Sequence, residues 1–149
     1  MKTIIKEKST GKVRRPLIDI KVNVKIKIAA LWTAIMFLYI YNDYFALLQP
    51  GHISDIMEGN LGMLPTTQGA LFAAALMMAV PAVMIFLTLV FKAKVNRITN
   101  IVVGALYAGL MIFALPGEWI FYIFMGIVEI VLTILIIWYA IKWPKNEVQ

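Results

Sequence analysis

The chain contains no cysteine and a single histidine in 149 residues, and only 15% of it is charged. Without cysteine there are no disulfides, no thiolate metal sites, no haem attachment and no thiol redox chemistry. One histidine, His52, excludes a His-rich metal site or a bis-His haem within one chain. The scarcity of charge accompanies 62% hydrophobic residues and a mean hydropathy of +0.84. An average soluble domain is roughly half apolar and a quarter charged. A soluble enzyme, a disordered regulator and a DNA-binding domain are thereby excluded, and the net charge of +6 does not point to nucleic acid as a partner. No cofactor and no metal are expected.

What the chain has is long apolar runs. Four of them, at about residues 28–48, 69–91, 98–115 and 119–141, approach the roughly 20 residues that cross a bilayer as a helix. Hydrocarbon offers no partner for backbone N–H and C=O groups, so all four are read as helices. The expectation is an all-α polytopic membrane protein, a four-helix transmembrane bundle occupying residues 17–149. Residues 1–16 form a polar, basic arm, expected to be mobile. No apolar stretch precedes the first span, so no cleavable signal is expected.

The basic residues set the orientation. All 14 Lys and Arg fall before span one, between spans two and three, or after span four, and segments 49–68 and 116–118 contain none. The positive-inside rule places both termini in the cytoplasm, in a plasma (inner) membrane. Between Leu17 and Ile28 apolar and polar residues alternate with the period of a strand. A lone strand would leave its edges unpaired, so an early start to helix one, with snorkelling lysines, is the preferred reading. In the outer loop, Ile53, Ile56, Met57 and Leu61 recur at helical spacing and suggest a short helix on the membrane surface. Thr66 or Thr67 is a ready cap for span two.

Acidic residues inside apolar runs are the strongest functional signal, because an ionisable group there costs about 2.5–3.5 kcal/mol on insertion scales. Glu129 lies about ten residues into span four, near the membrane midplane. Asp43 lies nearer the outer end of span one, and Glu118 marks the outer boundary of span four. Glu118, Tyr122, Met125, Glu129 and Thr133 share one helix face at three- and four-residue steps; Tyr39, Asn42 and Asp43 do the same on span one. Two such stripes facing each other make an acidic, tyrosine-walled cavity suited to an organic cation. The bland alternative is a buried Glu that only hydrogen-bonds a neighbouring helix. The aromatic residues near span ends, Trp32, Trp119, Tyr122, Trp138, Tyr139 and Trp143, read for the most part as interfacial anchors. Pro81 removes one backbone donor from span two and frees the carbonyl of Met77.

The stretches VNVKIKIAALWTAIMFLYIYNDYFALLQPG (Val22–Gly51) and PGEWIFYIFMGIVEIVLTILIIWYAIKWP (Pro116–Pro144) resemble a family of small four-span prokaryotic membrane proteins of unknown function. The resemblance implies four helices and no particular activity. Three functions follow from the residues. The first is binding or transport of a small cationic or amphipathic molecule, with Asp43, Glu129, Tyr39, Asn42, Tyr122, Thr133 and Glu118 as ligand or proton sites. The second is a membrane enzyme doing acid–base chemistry on an isoprenoid or quinone-like lipid. The third is an assembly subunit of a membrane complex. Membrane lipids and a small-molecule ligand are the expected partners, with a homodimer where translocation needs more than four spans.

Overall fold

A computed structural model of the chain describes residues 20–61 and 64–144. The basic arm expected at 1–16 lies outside the described residues, as does the start of the alternating segment at 17–19. The elements are α1 (Val24–Leu47), α2 (His52–Met57), a two-residue antiparallel pair β1 (Asn60–Leu61) and β2 (Leu64–Pro65), α3 (Gln68–Val90), α4 (Ala93–Ala114) and α5 (Ile120–Ile141). The four long helices have 22–24 residues. At 1.5 Å rise they are about 33–36 Å long, enough for a hydrocarbon core of about 30 Å. Four helices long and apolar enough to cross a membrane make this a multi-pass membrane protein.

Local chemistry explains the boundaries. The Asn23 side chain accepts from Lys25 N (2.9 Å), starting α1 at Val24. Helix one thus starts early, four residues before the apolar run, taking in Val24–Ile28 of the alternating segment with Lys25 and Lys27, while residues 20–23 are non-helical. Thr67 Oγ1 accepts from Ala70 N (3.1 Å) and caps α3. Only Phe91 and Lys92, both extended, separate α3 from α4. Helix α4 begins five residues before the apolar run suggests, because Lys94 and Arg97 lower hydropathy without opposing helical backbone. Gly51 and Gly117 have φ of 87°, a left-handed conformation that lets the chain turn back on the side opposite the lysines.

Packing inverts the soluble pattern. Phe72, Phe86, Phe113 and Ile120 point outward and are exposed, while the buried stripe of α4 is Asn96, Asn100, Gly104, Tyr107 and Met111. Buried stripes at three- and four-residue steps also run along α1 (Ile28, Trp32, Ile35, Tyr39, Asn42) and α5 (Gly126, Glu129, Thr133, Ile136, Ala140). α1 packs on α3 and α5, and α4 packs chiefly on α5. Close approach of α4 and α5 relies on Gly104, where a Cβ would come within 3.0 Å of Ile137 Cγ1. At the lysine-bearing end, Lys25 Nζ donates to the carbonyls of Leu89 (3.1 Å) and Phe91 (2.7 Å), neutralising the α3 C-terminus. Lys27 lies over the Tyr139 ring at 5.4 Å.

Candidate functional site

Glu129 is the tenth residue of α5, about 14 Å along the helix, and is 3% exposed. Its Oε1 accepts a 2.6 Å hydrogen bond from Tyr39 Oη on α1. This contact joins two adjacent helices and turns both side chains toward the bundle interior. They form the inner wall of a partly open cavity of ≈ 130 Å³. Asn42 and Asp43 continue the α1 wall one turn outward, and Tyr122 continues the α5 wall. The opposite side is thioether and aromatic: Met77 and Met78 from α3, Tyr107 and Met111 from α4. No cationic side chain among the described residues lines it.

Asn42 is the unusual member. It is 6% exposed, and its Oδ1 is buried without a hydrogen-bond partner among the described residues. A buried acceptor left unpaired costs about 1–3 kcal/mol, a cost that a donor entering the cavity would offset. By contrast the hydroxyls of Tyr39 and Tyr107 are already committed. Tyr107 Oη donates to Met77 O at 2.5 Å. That carbonyl is the one Pro81 leaves without an intrahelical donor, so the proline break in α3 and the tyrosine on α4 compensate each other.

Toward the lysine-bearing end the interior is closed by a polar clamp. Trp32 Nε1 donates to Asn100 Oδ1 (2.7 Å), which also accepts from Thr88 Oγ1 (3.3 Å). Asn100 Nδ2 donates to Asn96 O (2.9 Å) and Oδ1 (2.5 Å), and Asn96 Nδ2 donates to Thr88 O. All four side chains are fully buried. Trp32 is thus a core residue linking α1 to α4 across the bundle, and its reading as an interfacial anchor is corrected here.

Of the seven residues singled out in the sequence, five come together: Tyr39, Asn42, Asp43, Tyr122 and Glu129 line the cavity. Thr133 is buried below it, with Oγ1 donating to the carbonyls of Glu129 (2.7 Å) and Ile130 (3.0 Å). Its hydroxyl supports the helix under Glu129 and is not part of the wall. Glu118 precedes α5, is exposed, and does not line the cavity. Tyr107 went unread in the sequence. The signal was present in its three- and four-residue spacing from Gly104 and Met111, on the same face as Asn96 and Asn100.

The profile of a family of unknown function (DUF6326) matches residues 17–149. No curated protein and no solved structure matches the chain.

Proposed function

The chain belongs to the DUF6326 family, whose function is unknown, and we propose that it binds a small organic cation in the cavity between α1 and α5. Glu129 and Asp43 serve as its charge and proton sites, with Tyr39, Asn42 and Tyr122 as the polar wall. The observation that supports this most is a midplane carboxylate and a buried Asn42 Oδ1, unpartnered among the described residues, beside a cavity with no Lys or Arg among its described lining residues. Intramembrane carboxylates are costly, and they are commonly retained on substrate or proton paths. In this reading the protein sits in the plasma membrane with both termini cytoplasmic, since residues 48–67 and 115–119 carry no Lys or Arg. The cavity then opens outward past Asp43, which is exposed. Passage across the membrane would require the Trp32–Asn100 clamp to part, so binding is the step and transport depends on that opening. A homodimer would supply the second half of a translocation path.

The test is native mass spectrometry of the purified protein, wild type beside Glu129→Gln, before and after addition of ethylamine. Retained or added amine in wild type that is lost in the variant supports the proposal. Equal occupancy in both proteins, or none in wild type at saturating amine, would sink it.

A further inference from the structure

We infer that the guest is an amphiphile: a protonated amine bearing N–H groups in the central cavity, with an aliphatic tail lying between α1 and α3 beneath α2. The inference deepens the proposed cation site and rests on it. A second cavity, ≈ 470 Å³, lies on the outer side of the first. Asp43 and Met78 line both, so the two spaces meet at these side chains. Beyond them the second cavity is bounded by Ala46 and Leu47 of α1, Ala74 and Ala75 of α3, and Ile56 of α2. His52 is its other polar residue.

Size and chemistry divide the work. The inner cavity has room for about four waters at roughly 30 Å³ each, which suits a head group and not a whole ligand. Jointly the two spaces come within the roughly 300–1,000 Å³ typical of small-molecule sites. The inner one offers two carboxylates, and Asn42, whose Oδ1 is buried and without a partner among the described residues, stands in its wall. An amide oxygen is satisfied by an N–H donor, which a protonated amine has and a quaternary ammonium lacks. The outer one offers small and aliphatic side chains, where the alanines of α3 leave the space that larger residues would fill. A plain lipid tail seated there would lie against the Asp43 carboxylate with no compensating charge; an ammonium head at the junction supplies it.

The experiment compares ethylamine with hexylamine on the full chain in nanodiscs, using wild type, Ala75→Trp and Glu129→Gln. Ala75 is exposed on α3, so the larger ring can be accommodated without disturbing the core. In wild type hexylamine binds more tightly, by up to about fourfold per added methylene, the equivalent of about 0.8 kcal/mol each. Ala75→Trp weakens hexylamine at least tenfold and changes ethylamine less than threefold, while Glu129→Gln removes both. A hexylamine bearing a terminal diazirine crosslinks, on illumination, to peptides containing Ile56 or Ala75. Hexylamine binding unchanged in Ala75→Trp, or crosslinks only elsewhere, overturns the tail assignment and leaves the cation site standing. Ethylamine that fails to bind wild type, or binds Glu129→Gln equally, overturns the cation site itself.

Discussion

Replacing Asn100 with alanine is expected to be the most damaging polar deletion in the bundle, and the effect can be worked from the clamp. The substitution removes the acceptor of Trp32 Nε1 and the donor to Asn96 Oδ1, both in fully buried surroundings. Thr88 Oγ1 loses its long contact to Asn100, at 3.3 Å, and can turn to a carbonyl of its own helix. Two orphaned groups remain. Hydrogen bonds inside membrane bundles average about 0.6 kcal/mol and reach about 1.7 kcal/mol, because the unfolded chain in the membrane also finds partners. The expected loss for Asn100→Ala is therefore about 1–3 kcal/mol. Trp32→Phe removes the donor together with the pyrrole half of a fully buried indole, so its cost adds a cavity term to the lost hydrogen bond, while Asn100 keeps its remaining bonds. The double variant should fall short of additivity by about 0.6–1.7 kcal/mol, the coupling of a direct hydrogen bond. Reversible SDS unfolding in mixed micelles, followed by far-UV circular dichroism, reads all three variants on one scale. Strict additivity, or an Asn100→Ala cost under about 0.5 kcal/mol, would refute the clamp as a stabilising contact.

Other consequences are equally open to measurement. Tyr107→Phe leaves the Met77 carbonyl without its donor and is expected to cost about 1 kcal/mol; adding Pro81→Ala restores an N–H to that carbonyl and recovers most of the loss in the same unfolding assay. Gly126→Ala would place a Cβ 2.6 Å from Leu115 Cδ2 and 2.9 Å from Met111 Sδ, but both are the ends of flexible side chains. The gain in helix propensity of about 1 kcal/mol offsets much of the crowding, so stability should change by less than about 1 kcal/mol. Met111 is pushed toward the cavity it lines, and ethylamine affinity measured by native mass spectrometry should fall. Lys25→Met removes the cation from the α3 C-terminus and should lower stability by about 0.3–1 kcal/mol, with the difference shrinking at high salt.

The sequence by itself determined that the chain is a membrane protein with four spanning helices, because length and apolarity are local properties and a continuous apolar run of roughly 20 residues can satisfy its own backbone in hydrocarbon only as a helix. It also determined which face of each acid-bearing helix holds its polar residues, since helical spacing fixes Tyr39 beside Asn42 and puts Tyr122 on the Glu129 face two turns away. A cap at Thr66 or Thr67, which the structure assigns to Thr67, and the carbonyl freed by Pro81 were legible for the same reason: each depends on residues within one turn. What only the tertiary structure decided is which stripes meet. Spacing places Thr133 and Glu118 on the Glu129 face, yet one hydroxyl turns to its own backbone and the other side chain stays outside. Trp32 and Asn100 are separated by 68 residues, and nothing local distinguishes a tryptophan that anchors at an interface from one whose N–H finds an amide across the bundle. Tyr107 and Met77 meet only because α3 and α4 return antiparallel through a two-residue link. Hydrophobicity drives each helix into the membrane, but lipid is as apolar as leucine and gives no preference among neighbours. Pairing is left to small residues, shape and a few buried hydrogen bonds, and those are relations between distant parts of the chain.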